Sequence, residues 1–247
     1  MSVLTILLLF SSGFLTGLVN AVAGGGTFLT FATLTLAGLP AIIANTTSSF
    51  VQFPGNVTSS LAYRDEIMKN GRSYIGLALV SALGSAAGAL LLLSLSDPHF
   101  RALVPWLLLA ATAIFAAGPW LKPKAGERPP NGKAGTIGQF LVSIYGGFFG
   151  AGMGIMMLAV LGLITGGAYH RMNALKNFLS VIISAVAILV FMAKGAVSWP
   201  HAAALIPGSA LGGYVGVWAA RKMPQAILRL IVVSVGLALA LYYFWTG

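Results

Sequence analysis

The sequence predicts an all-α, polytopic transmembrane protein built from two inverted repeats, each opening on a broken or re-entrant helical pair. Three observations predict it. Hydrophobic residues make up 58% of the 247-residue chain and charged residues 7%, with a mean hydropathy of +0.93, which is too little charge to cover a soluble fold of this length. The chain also repeats itself at a shift of 128 residues without insertion. Ser81-Ala82-Leu83-Gly84 recurs as Ser209-Ala210-Leu211-Gly212, and Gly24, Gly26, Asn45, Gly88 and Arg101 recur as Gly152, Gly154, Asn173, Gly216 and Arg229. Matches of Ala, Leu and Gly are cheap in this composition, but a paired Asn and a paired Arg are not. In membrane proteins such duplication commonly builds a pathway where the halves meet.

The third observation is the distribution of the 14 basic residues. If each broken pair returns the chain to its starting side, then Arg64, Lys69, Arg72, Lys122, Lys124, Arg128, Lys133, Arg171, Lys176, Arg221, Lys222 and Arg229 share one side, against Arg101 and Lys194 on the other. Eight single crossings would divide the same residues almost evenly. The positive-inside rule selects the first arrangement, with both termini external and the central linker cytoplasmic. An odd number of crossings per half makes the repeats inverted, whether each broken pair is two short crossings or a re-entrant hairpin. Residues 1–121 are the first repeat, 122–133 the linker and 134–247 the second repeat.

The elements follow in order. Val3 to Val22 is the first apolar run, and with no basic n-region and no small-residue cleavage site it is expected to stay as a helix. Gly24-Gly25-Gly26 then breaks the chain, because glycine runs disfavour helix, and in lipid such irregular backbone survives only where protein or a cavity shields it. Thr27 to Gly38 holds only 12 residues, about 18 Å as helix, too short to cross about 30 Å of hydrocarbon comfortably. Ala41 to Ala62, Tyr74 to Leu95 and Ala102 to Leu121 complete the first half. The second half repeats the plan: Thr136 to Phe149, the glycines 150, 152 and 154, the short run Ile155 to Gly166, and then Met172 to Ala193, His201 to Ala220 and Ala226 to Trp245. Glycines in these breaks either free backbone amides for a ligand or serve close helix packing. Pro54-Gly55 should kink the first striped helix at its middle, either opening backbone carbonyls there or merely aiding packing, and Arg101 and Arg229 begin equivalent helices as interface anchors.

The chemistry sits on the first long helix after each break. Asn45, Ser49, Gln52 and Asn56 are spaced 4, 3 and 4, which lines them on one helical face. At the 128-residue shift the positions are Asn173, Asn177, Ser180 and Ser184, polar at every step. Amides and hydroxyls are costly against lipid, so both stripes should face the interior, where the pseudo-twofold would set them against each other, as a lined pathway or as interhelical glue. Lys176 adjoins the second stripe, either as a counter-charge within it or snorkelling to headgroups.

Absent residues constrain the mechanism further. The four acids, Asp65, Glu66, Asp97 and Glu127, all fall in or beside predicted loops, so an interior cation site or carboxylate proton relay is not expected. Amides, hydroxyls, backbone donors and one Lys suit an anion instead, and helix N-termini at Thr27 and Ile155 would add positive partial charge. With no cysteine and three scattered histidines, neither a metal site nor another cofactor is expected. An intramembrane hydrolase lacks a nucleophile paired with a base, so the chain reads as a non-enzyme. The net charge of +10 follows from topology and implies no nucleic acid.

The run Gly13-Phe14-Leu15-Thr16-Gly17 to Ala23-Gly24-Gly25-Gly26-Thr27, followed by Ala44-Asn45-Thr46-Thr47-Ser48, resembles the TauE/SafE family of sulfite exporters, also called the toluenesulfonate uptake permease family. The second half is similar through Gly146-Gly147-Phe148-Phe149-Gly150-Ala151-Gly152-Met153-Gly154 and Asn173-Ala174-Leu175-Lys176-Asn177, with Met153 interrupting the glycine pattern. The resemblance implies transport of sulfite or small organosulfonates in the cell membrane. The expected substrate site comprises Gly24, Gly25, Gly26, Thr27, Asn45, Ser49, Gln52, Gly152, Gly154, Asn173, Lys176, Asn177 and Ser180. The expected mechanism is alternating exposure of a midplane site. A channel of the same fold and a non-transporting membrane scaffold are the alternatives.

Overall fold

The computed structural model describes residues 3–23, 26–117, 120, 132–165, 169–219 and 225–246. Among them there is no strand, and ten helices follow one another: α1 (Val3–Ala23), α2 (Thr27–Leu36), α3 (Ala41–Ala62), α4 (Arg64–Ser94), α5 (Asp97–Ala116), α6 (Gly132–Phe148), α7 (Met153–Thr165), α8 (Tyr169–Ala193), α9 (Trp199–Ala219) and α10 (Gln225–Thr246). Each apolar stretch of the sequence coincides with one helix. The starts of α3 and α8, and of α5 and α10, are 128 residues apart. Most of the linker, with Gly24 and Gly25, lies outside the described residues.

Hydrocarbon offers no hydrophobic drive between helices, so close approach depends on small residues. In α9 a Cβ on Gly208 or Gly212 would run into the carbonyl of Phe10 or Phe14, and one on Gly216 would lie 2.8 Å from the carbonyl of Leu18. Both numberings rise together, so α1 and α9 run parallel. The pair related to them by the repeat, α6 and α4, is built alike: a Cβ on Gly84 would sit 2.7 Å from the Phe140 carbonyl, and Gly88 lies against Ile144. The repeated Ser-Ala-Leu-Gly tetrad is therefore a crossing motif, with Ser81 and Ser209 fully buried beside it. Gly55 takes the same part in α3, where a Cβ would lie 3.0 Å from the Ser209 carbonyl. Pro54 is tolerated inside a helix that runs unbroken to Ala62, so this dipeptide serves packing.

α3 and α8 cross antiparallel. Near the start of α3, Thr47 Oγ1 accepts from Ser198 N at 2.9 Å, and the Thr46 hydroxyl bonds the Ala196 carbonyl, both just beyond the end of α8. At the other end of α3, Asn173 Nδ2 of α8 donates to the Tyr63 hydroxyl at 2.9 Å. α5 and α10 are antiparallel too: Arg101 Nη2 donates to Thr246 O at 2.8 Å, with its guanidinium over the Tyr243 ring, so this cation caps a helix C-terminus. Asp97 Oδ1 accepts from Ile42 N at 2.9 Å, a carboxylate at the N-terminus of α3. One end of the bundle thus gathers the starts of α3 and α5 with the ends of α8 and α10. The opposite end gathers the α3–α4 junction and the start of α8.

The apolar core joins the halves through rings. Phe31 of α2 meets Phe149 edge-on at 5.6 Å and stacks on Tyr243 at 5.9 Å, while Phe100 of α5 meets Phe148 and Phe149. The outer surface is apolar instead of charged, with Leu7, Leu8, Leu79, Leu83, Leu211 and Leu241 exposed. All five tryptophans are exposed as well, by 52 to 94%; Trp199, Trp218 and Trp245 sit at helix ends, as interfacial anchors do. By length and composition alone, Tyr74–Ser94 and Arg171–Ala193 can cross a bilayer, at mean hydropathies of 2.1 and 2.2.

Candidate functional site

Every member of the first stripe is buried: Asn45 is 1% exposed, and Ser49, Gln52 and Asn56 stay below a tenth. The short helix α2 lies against it. Thr27 Oγ1 donates to Gln52 Oε1 at 3.0 Å, the Thr30 hydroxyl meets Ser48, and Thr30 Oγ1 also reaches Thr27 O at 3.2 Å. Thr27, Thr30 and Thr33 recur every three residues, and this face of α2 packs on the polar side chains of Gln52, Ser48 and Ser12; Thr33 Oγ1 pairs with Ser12 Oγ at 2.7 Å. Gly26 is helical in φ and ψ, and a Cβ there would strike the Thr16 carbonyl, so this glycine brings α2 onto α1.

The second stripe is also buried: Asn173 at 3%, Lys176 at 1%, Asn177 at 2%, Ser180 at 5% and Ser184 at 7%. Lys176 therefore does not snorkel outward. It stands where the first half has Ser48, and the apolar Leu158 and Ile155 stand where that half has Thr30 and Thr27. The second break is held differently as well. Gly150 and Gly152 adopt φ of +74° and +75°, which favours glycine, and Tyr145 OH donates to Ala151 O at 2.6 Å. A Cβ on Gly146 would strike the Met153 sulfur, so Met153, 3% exposed, fills the space beside it. Gly152 and Gly154 are buried at the start of α7, and the break itself takes up amides of the first turn: Met153 N donates to Gly150 O at 3.2 Å and Ile155 N to Gly152 O at 3.1 Å. Among the described residues, Ser180 Oγ reaches only Met157 Sδ, at 3.6 Å.

The stripes meet at one point. Asn56 Nδ2 donates to Ser184 Oγ at 3.0 Å, a pair of positions 128 residues apart, and Asn20 Nδ2 donates to Asn56 Oδ1 at 2.8 Å. Because α3 and α8 are antiparallel, the stripes form a single polar line: Asn45 and Ser49 toward one end of the bundle, Asn56 and Ser184 in the middle, Asn177 and Asn173 toward the other.

Three buried amide atoms on this line have no partner among the described residues: Asn45 Oδ1, Asn173 Oδ1 and Asn177 Nδ2. Such atoms are costly in a dry interior and mark places where a ligand or water can bind. The two shift-related asparagines are not equivalent, however. Asn45 Nδ2 donates to Phe148 O at 2.9 Å, and a carbonyl can only accept, so the amide orientation is fixed and its open atom is an acceptor. Asn45 clamps the end of α6. Asn173 faces a tyrosine hydroxyl, which either accepts or donates, so its amide can turn.

Sequence reasoning missed Asn20 and Tyr63. Asn20 stands out as the one amide in the apolar run of α1. Tyr63 lies on an extension of the stripe, since 45, 49, 52, 56, 59 and 63 keep the 4-and-3 alternation, and Ser59 Oγ on this same face donates to Gly213 O at 3.2 Å.

A family model described as sulfite exporter TauE/SafE matches residues 9–243. The chain is similar to the probable membrane transporter protein ORF9 of Sinorhizobium sp, at 28% identity over 94% of this chain and 90% of that protein. It is also similar to a probable membrane transporter protein of Haemophilus influenzae, at 26% identity over 92% and 89%. A third relative is the probable membrane transporter protein YfcA of Escherichia coli K12, at 24% identity over 95% and 88%.

Proposed function

We propose that this chain, which belongs to the sulfite exporter TauE/SafE family, is a membrane transporter that exports small sulfur-containing anions such as sulfite or organosulfonates. The observation that carries the reading is the buried polar line of two antiparallel stripes, with open amide atoms on either side of its centre. Of the described acids, Asp65 is exposed and lies 3.6 Å from Arg64, and Asp97 is engaged in capping α3. Side-chain amide donors such as Asn177 Nδ2 and the buried amine of Lys176 suit an anion with several acceptor oxygens.

Transport proceeds by alternating access of two inverted halves. The antiparallel crossing of the repeat-related α3 and α8 supports the inversion. So does the sorting of cations by end, with Arg101 and Lys194 at one and Arg64, Lys69 and Arg171 at the other. The second end is cytoplasmic by the positive-inside rule. The Asn20–Asn56–Ser184 link closes the line across its middle, which favours a carrier over a continuously open channel. Counterflow in proteoliposomes with sulfite, thiosulfate, sulfoacetate and taurine tests the reading: sulfite or an organosulfonate should exchange, and failure of all four at verified insertion would reject it.

A further inference from the structure

We propose that the Tyr63 hydroxyl is a substrate ligand, completing with Asn173 and Asn177 a donor cluster that receives the anion where α3 ends and α8 begins. This rests on the transport reading above and places first binding off the centre of the line. Asn173 and Asn177 are four residues apart on α8 and Lys176 is three from Asn173, so all three present neighbouring side chains. Each is at least 97% buried. Asn177 Nδ2 has no partner among the described residues.

Tyr63 is joined to Asn173 at 2.9 Å, and the pair holds more hydrogens than it can use internally. As drawn, Asn173 Nδ2 donates one hydrogen to the Tyr63 oxygen, and the phenolic hydrogen remains to be given. With the amide turned, the phenol donates to Oδ1 and both Nδ2 hydrogens remain. Either way the pair offers surplus donors, and an oxyanion supplies the acceptors. The other end of the line lacks this property, because the Phe148 carbonyl holds the Asn45 amide with its oxygen open. The second repeat has no copy of Tyr63, since the shifted position is the apolar Phe191. Anion affinity is therefore concentrated at the Tyr63 end.

The test is Tyr63→Phe, which removes one oxygen and keeps the ring, assayed by [35S]sulfite counterflow and by the sulfite-induced shift in melting temperature. Loss of a hydrogen bond to a charged group should raise KM about tenfold or more, with kcat within about twofold and the ligand-free melting temperature near wild type. In an Asn173→Ala background the same substitution should add little, because the two act as a pair. A wild-type KM and a wild-type sulfite-induced shift in Tyr63→Phe would overturn the role, as would full additivity with Asn173→Ala. If Asn177→Ala raises KM while Tyr63→Phe does not, the transport reading stands and the role of Tyr63 falls. If the wild-type protein moves no sulfite and no organosulfonate, both fall together. Should Tyr63→Phe lower the ligand-free melting temperature, the sulfite-induced shift still decides: preserved, it leaves Tyr63 a purely structural contact.

Discussion

Asn56→Ala removes the one side chain that ties both stripes and α1 together, and its consequences separate binding from conformational change. The substitution deletes two buried hydrogen bonds, from Asn20 at 2.8 Å and to Ser184 at 3.0 Å. Hydrogen bonds between transmembrane helices average about 0.6 kcal/mol, which gives roughly 1.2 kcal/mol for the two. The amides and hydroxyls left behind, together with the small void, bring the expected loss to about 2 kcal/mol. In a reversible denaturant or steric-trapping assay the variant should therefore unfold more readily than wild type by that amount. Ser184→Ala, which breaks only one of the bonds, should lose about half as much. Asn56 has both polar atoms engaged within the protein, so KM for sulfite should stay within about twofold while kcat changes, because the link sits where the halves meet. Unchanged stability, or a KM effect as large as that of Asn177→Ala, would refute this reasoning.

Three further outcomes follow. Gly212→Leu should sharply reduce folded, inserted protein, since even a Cβ meets the Phe14 carbonyl and overpacking costs about 1–3 kcal/mol or more; Gly76→Leu, with nothing within 4 Å of the added atom, should be tolerated in the same expression and melting assay. Lys176→Gln should raise the KM for sulfite about tenfold or more with normal insertion, and an unchanged KM would remove Lys176 from the site. In this cysteine-free chain, Lys69→Cys should label with an impermeant maleimide only from the cytoplasm and Lys194→Cys, at the related junction of the second repeat, only from outside; labelling of both from one side would reject the inverted arrangement.

Periodicity and the repeat made much of the architecture legible. Spacings of 4, 3 and 4 put Asn45, Ser49, Gln52 and Asn56 on one face because the helical period is fixed, and each proves buried. The 128-residue shift anticipated that the stripes would face one another, and the Asn56–Ser184 bond joins two positions at that separation. The Ser-Ala-Leu-Gly tetrads were legible as a repeat but not as a crossing, since a glycine packed on a carbonyl looks no different in sequence from one at a turn. Amide orientation was out of reach altogether. It depends on what stands across from Asn45 and Asn173, a carbonyl in one case and a phenol in the other, and those partners are 103 and 110 residues distant in the chain. Tyr63 was within reach of the stripe's own spacing, but an aromatic at a helix junction reads first as an interfacial anchor.

The account's central claim, that an anion passes along the buried line, is tested most directly by substrate protection of single cysteines at Ser49 and Ser180, one on each stripe. Each should react with a small thiosulfonate reagent during turnover and lose counterflow in proportion to modification, and a transported organosulfonate such as sulfoacetate, which unlike sulfite does not consume the reagent, should slow the reaction at both positions. Cysteines that react at the same rate with and without the organosulfonate, or that are fully modified with transport intact, would contradict it.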